Sequence, residues 1–266
     1  MGWFSRNKPD ANAPIKVMND QWSLYFKWIG ENEQWPVMFF FDETYAERTP
    51  DDYNDGVEFT TYYSTKDPAA ISENGMPLPD VNAEIQKWES TLVERIEASQ
   101  LHVKYVVRLV GAARQTYRFQ ARNGEALLDV LRQWAGEIPH VARTEERVTR
   151  GWKQYENVVP KMAERMQIED RVLIDSLVAH GAKTDELYAL DFTFSGPKDK
   201  LDIIQQDLED EDFKVTRREK NTLHLQRELP LDLKTIYHFT SYMLMSAHAH
   251  DCQYEGWGCR LQQTAS

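Results

Sequence analysis

Two stretches of this chain run through the same order of hydrophobic periods, and that order limits the fold more than any single motif. Val57, Phe59, Thr61 and Tyr63 fall on one side of an alternating run, the two-residue period of a strand. After Gly75-Met76-Pro77, Val81, Ile85, Trp88, Leu92 and Ile96 recur at steps of four and three, a helical stripe with Asp80 placed to cap it. Val103, Tyr105, Val107 and Leu109 alternate again, Gly111-Ala112 supplies a turn, and Tyr117 and Phe119 resume the alternation, which predicts a hairpin. A second helix is expected over Ala126–Trp134, with Leu127, Leu128 and Leu131 on one side, and a closing strand over His140–Val148.

The second half repeats the logic. Leu187, Ala189, Asp191 and Thr193 alternate with Tyr188, Leu190, Phe192 and Phe194, so this strand has one strongly apolar face. A helix over Pro197–Leu208 follows, then a hairpin about Lys220-Asn221. A long helix opened by Pro230 carries Leu233, Ile236, Tyr237, Thr240, Leu244 and Ala247, and a last strand is expected over Tyr254–Leu261. In front of this set, Ile168, Val172, Leu173 and Leu177 predict an amphipathic helix stopped by Gly181 in a left-handed cap.

Strand, helix, strand, strand, helix, strand is the βαββαβ order of ferredoxin-like α+β sandwiches, with helices on one sheet face. The expected architecture is therefore two such sandwiches in tandem. The first has two extra N-terminal strands: Trp22, Leu24, Phe26 and Trp28 alternate with Ser23, Tyr25 and Lys27, Gly30-Glu31-Asn32 turns the chain, and Val37–Phe41 returns. Residues 1–15 lack periodicity and read as a flexible tail, which places the domains at 16–158 and 159–266.

Charge narrows the function. The net charge of -12 is spread evenly: 18 basic and 24 acidic residues in 1–160, 13 and 19 in 161–266, a net -6 in each. An acidic surface repels a phosphate backbone at long range, so direct nucleic-acid binding is not expected and a basic protein partner is favoured. Two cysteines, Cys252 and Cys259, are too few for a disulfide framework and suit a reduced cytoplasmic chain. The opening residues have no apolar core of the kind a signal peptide needs. The longest apolar run, Val37–Phe41, is far too short to span a membrane.

The most distinctive residues are Tyr254-Glu255-Gly256-Trp257-Gly258. Together with Asp170-Arg171-Val172-Leu173-Ile174, Leu177, Gly181, Asp185-Glu186-Leu187-Tyr188 and Phe213-Lys214-Val215, they resemble the bacterial family of regulators of ribonuclease E activity B over roughly residues 165–262. That family closes on Tyr-Asp-Gly-Trp-Gly, and here Glu255 stands for the Asp. It has a Gly before Phe213; Asp212, found here, tolerates a left-handed backbone. The first half is similar to a bacterial domain family of unknown function (family 695) at Trp22, Tyr25, Gly75, Pro77, Gly111, Arg114, Tyr117, Phe119, Trp152 and Tyr155. The resemblance implies a non-enzymatic regulator that binds ribonuclease E, or a similar basic protein, and inhibits it, so modulating RNA turnover. Tyr254 and Trp257 would shape the docking surface, and Glu255, Asp210 and Glu211 would supply charge. An enzyme or ligand-binding protein with a site between the domains, or an interaction module for another partner, are the alternatives.

No nucleophile elbow, phosphate loop or metalloprotease helix occurs, and no catalytic residue or cofactor is assigned. His248, His250, Cys252 and Cys259 are the one group with metal-ligand chemistry, at a spacing that matches no zinc template. Lys104, Arg108, Arg118 and Arg122 share one parity and could stripe the open sheet face, with Glu58 neutralising part of it. Phe239, Tyr242 and Ser246 form a flank beside the apolar stripe of the last helix.

Overall fold

The computed structural model describes residues 16–29, 35–63, 70–139 and 141–260. The expected tail at 1–15, the turn at 30–32, His140 and Leu261 lie outside them. The chain divides into two compact units, Met1–Val159 and Pro160–Ser266. Both are α+β, each with one antiparallel sheet.

The first unit contains β1 (Trp22–Ile29), β2 (Trp35–Asp42), β3 (Asp55–Tyr63), α1 (Pro79–Ala98), β4 (Val103–Gly111), β5 (Arg114–Ala121), α2 (Gly124–Ala135), β6 (Val141–Arg150) and the short α3 (Lys153–Glu156). Its strands lie in the order β1-β2-β4-β5-β3-β6. Read from β3, this is the ferredoxin-like arrangement with the β1–β2 hairpin added beside β4. Leu92 and Ile96 of α1 and Leu127, Leu131 and Trp134 of α2 pack against Val57, Phe59, Tyr105, Tyr117 and Phe119. The other sheet face is covered too. Tyr25 donates to the Val158 carbonyl at 2.8 Å, and Arg118 donates to the Gln154 carbonyl at 2.9 Å.

Local chemistry moves two expected features here. Asp80 does not cap α1: the helix starts at Pro79, whose missing N–H costs nothing there, and Asp80 lies in the first turn near the positive helix end. The basic stripe is also broken. A β-bulge between Tyr105 and Val107 sets Val107 opposite Arg118 and Arg108 opposite Tyr117, so Arg108 turns to the helix face and pairs with Glu89. Arg118 is held by Glu58 at 2.7 Å, Arg122 by Asp52, and Lys104 donates to the Lys16 carbonyl at 3.0 Å.

The second unit contains α4 (Met162–Ala179), β7 (Leu187–Ser195), α5 (Lys198–Glu209), β8 (Lys214–Arg218), β9 (Thr222–Pro230), α6 (Leu233–Ala249) and β10 (Gln253–Cys259). The order β10-β7-β9-β8 is again the ferredoxin-like one. Leu190, Phe192 and Phe194 of β7, Leu201, Ile204 and Leu208 of α5, and Ile236 and Met243 of α6 form the core. Asp212 ends the turn after α5 at φ +64°, so it fills a left-handed position, and Gly181 does the same after α4 at φ +96°. Pro230 closes β9 rather than opening a helix. Asp232 caps α6 instead, accepting from the Thr235 N–H at 3.0 Å.

The packing stripe of α4 also differs from the sequence expectation. Val172 is 59% exposed, and the buried residues of this helix are Asp170 and Ile174, with Met166 and Leu177 partly packed. These four recur at steps of four and three, as Ile168, Val172 and Leu173 cannot alongside Leu177 once Ile174 faces inward.

Candidate docking site

The closing strand is where the Tyr-Glu-Gly-Trp-Gly residues meet the rest of the second unit. In a regular strand, residues three apart point to opposite faces. Tyr254 and Trp257 do not. Tyr254 is opposite Phe194, Gly256 opposite Thr193 and Trp257 opposite Phe192, so Glu255 is an extra, bulged residue. Gly256 accommodates the bulge at φ +108°, a conformation L side chains rarely adopt. Both aromatic rings therefore face inward with Phe194 and Phe192, and Glu255 is lifted out to solvent.

The bulge brings both rings towards α4 and α6. The Trp257 indole Nε1 donates to Asp170 Oδ1 at 2.7 Å. Asp170 is 4% exposed and pairs with no cation among the described residues, so burial pushes its carboxyl up to about 6, against the pull of the Thr240 hydroxyl and the Trp257 indole. Tyr254 packs on Phe194 with ring centroids 5.3 Å apart. Burial, and next the Asp170 charge, raise its phenol well above the usual range. Tyr237 and Thr240 of α6 are buried with it. Asp170, Thr240 and Tyr254 are thus buried polar residues beside Trp257, and the Trp257–Asp170 bond ties α4 to the sheet. Sequence reasoning had no periodic signal for Asp170, because a carboxylate within a helix ordinarily faces water.

Beside this cluster a groove of about 850 Å³ opens on the second unit. Met166, Leu244 and Tyr254 line its apolar part; Arg165 and Glu169 come from α4, Lys161 is the N-cap of that helix, and Glu255 comes from β10. Of the expected site residues, Tyr254 and Glu255 belong to this groove. Trp257 acts on it indirectly, by holding α4. Glu255 accepts from the Ser195 hydroxyl at 2.5 Å.

Asp210 and Glu211 lie elsewhere. Asp210 is the C-cap of α5. The Glu211 carboxylate accepts from the Tyr242 hydroxyl at 3.1 Å, and its carbonyl accepts from Arg227 at 2.7 Å. Arg227 sits opposite Leu190 on β7, five residues from Ser195, which separates this corner from Glu255 by about 17 Å along the strand. The aromatic flank of α6 is engaged at the same corner. Tyr242 bonds Glu211, and Phe239 packs edge-on against Phe213 at 6.0 Å.

The His and Cys residues do not converge. Cys252 and Cys259 stand at opposite ends of β10, about 20 Å apart. His250 lies 3.5 Å from Asp207. Cys252 packs so closely on Gly196 that a Cβ there would come within 2.6 Å of its sulfur. Burial raises both thiols, the opposite of what a ligand or nucleophile needs.

Residues 167–259 match the family model described as regulator of ribonuclease activity B. The match lies wholly within the second unit, from α4 to the end of β10, and includes Asp170, Tyr254 and Trp257. No curated protein matches the chain. Among the described residues, no helix is long and apolar enough to cross a membrane.

Proposed function

We propose that this protein regulates a ribonuclease by binding it, using its second unit, and that it catalyses no reaction itself. The observation that carries this reading is the family match over the whole βαββαβ set of the second unit and most of its leading helix. The target is ribonuclease E or an enzyme like it, met in the cytoplasm, and docking slows its cleavage of transcripts. A chain of net charge -12 favours a basic segment of that enzyme and speeds the encounter at low salt. Glu255 contacts the partner, Tyr254 and Trp257 hold the surface in shape, and Asp210 and Glu211 add charge at a second corner. The first unit adds contacts or selectivity.

The test is to mix the purified full chain with ribonuclease E and a model transcript. Slowed cleavage and a complex that weakens steeply with salt are expected. Unslowed cleavage with no complex at low salt would remove ribonuclease E as the target. A pull-down comparing residues 1–160 with 161–266 then assigns binding to one half, and capture by 1–160 alone would contradict docking through the second unit.

A further inference from the structure

We propose that the groove beside β10 is a slot for a short segment of a partner protein, one with an apolar anchor between a basic and an acidic residue. The regulatory reading above supplies the identity of the partner; the chemistry of the slot stands on the groove alone.

The floor is apolar and adaptable. Met166 and Leu244 flank Tyr254, and Met162 stands at the mouth with 73% of its surface exposed. Thioether side chains conform to differently shaped anchors. The rim is charged. Arg165 and Glu169 stand one turn apart on one ridge of α4, and Lys161 is the N-cap in front of it. Glu255 of β10 lines the same groove. Some surface charges elsewhere find partners, such as Arg95 with Glu137 and Lys198 and Arg218 with Asp202. Among the described residues, none of these four makes an ion pair. Arg165 and Glu169 stand one helical turn apart and still do not pair.

The two signs are separated along the groove. Lys161 is the N-cap of α4, Arg165 lies in its first turn, and Glu169 is deeper in the helix. Lys161 and Glu169 are about 12 Å apart along the axis, the reach of two helical turns or four extended residues. A complementary segment therefore sets its carboxylate at Lys161 and Arg165, its anchor on Met166 and Tyr254, and its cation at Glu169, with Glu255 adding negative charge to the same groove. The slot is also held in place. α4 buries only two residues, and one of them, Asp170, is bound by Trp257. The bulge that lets Trp257 reach Asp170 is the one that lifts Glu255 to the rim.

The experiment uses the full chain with ¹³C-labelled methionine methyls. The probe is a synthetic peptide of about 12 residues, with paired Arg at one end, Leu at its centre and paired Glu at the other, long enough to cross the slot when extended. All-Arg and all-Glu versions serve as controls. The mixed peptide should shift Met162 and Met166, leave Met18 and Met38 of the first unit unmoved, and bind about tenfold tighter than either control. The double variant Glu169→Lys, Glu255→Lys should weaken it about tenfold or more; both positions are exposed, so the fold should tolerate the change. No shift at about 1 mM peptide, equal binding of all three peptides, or unchanged binding to the double variant overturns the proposal. Peptide binding without any effect on ribonuclease cleavage supports the slot and defeats the ribonuclease reading. Equal inhibition of the ribonuclease by wild type and double variant defeats the slot and supports the reading.

Discussion

Glu89 of α1 and Asp170 of α4 are both nearly removed from solvent, at 7% and 4% exposure. In the first unit the carboxylate has a cation: Arg108 pairs with Glu89 and stacks over Phe40 at 4.0 Å, while the Tyr105 hydroxyl donates to the other oxygen at 2.6 Å. In the second unit Asp170 has one neutral donor instead, the Trp257 indole, and its other oxygen has no hydrogen-bond partner among the described residues. In each case a strand bulge delivers the partner, at Val106 in β4 and at Glu255 in β10. The same topology thus holds one buried charge by compensation and leaves another poised between charged and neutral. A compensated pair is costly to break, whereas an uncompensated carboxyl costs less to alter and responds to protons.

The largest effect is expected from Arg108→Leu. It strands Glu89 without its cation and should cost the first unit about 3 kcal/mol, read as lost amide protection in hydrogen exchange. Adding Glu89→Gln should recover part of that loss; no recovery would mean the pair is not the cause.

The second concerns pH. The Asp170 carboxyl has an ordinary value of 3.8 and a folded value of about 6, so the folded state binds its proton more tightly. Its contribution to stability is complete below 3.8 and is lost as pH rises through about 6. By linkage this is on the order of 3 kcal/mol lost from the second unit by pH 7. Denaturant unfolding from pH 4 to 8 should show the decline, and Asp170→Asn should flatten it. A decline that persists in Asp170→Asn would assign it to other groups.

Trp257→Phe comes next. It leaves Asp170 Oδ1 without its donor, at about 2 kcal/mol, and should raise the Asp170 carboxyl further, visible as a displaced pH profile. The smallest effects compare two glycines of β10. Gly256→Ala keeps open space around the new Cβ but forces Ala to φ +108°, which should cost about 1–2 kcal/mol. Gly258→Ala meets open space without a positive φ and should stay within about 0.5 kcal/mol. Equal costs at the two positions would contradict the bulge.

Most of the fold was legible because period and order are properties of the chain itself. Alternation in Tyr188–Phe194 and the four-and-three steps of Val81–Ile96 each name an element, and the βαββαβ order leaves few ways to arrange them. The candidate site was legible only in part. Tyr254 and Trp257 could be singled out, but regular parity puts residues three apart on opposite faces, and no local signal short of the glycine announces the bulge that joins them. The same blindness put Arg108 on the wrong face. The stripe of α4 was misread for another reason: its inward positions include Asp170, and a sequence window counts a carboxylate as outward.

By itself, the sequence determined two βαββαβ units, their helices and strands, the left-handed positions at Asp212 and Gly181, and the residues worth watching. Those follow from periodicity, backbone preference and chain order, which are local. Only the tertiary structure decided that Glu255 and Glu211 stand far apart, that Trp257 looks inward at Asp170, and that four unpaired charges of α4 and β10 border one groove. Those depend on strand register and on which helix covers which strand. A one-residue bulge resets them without leaving a mark in hydrophobic period.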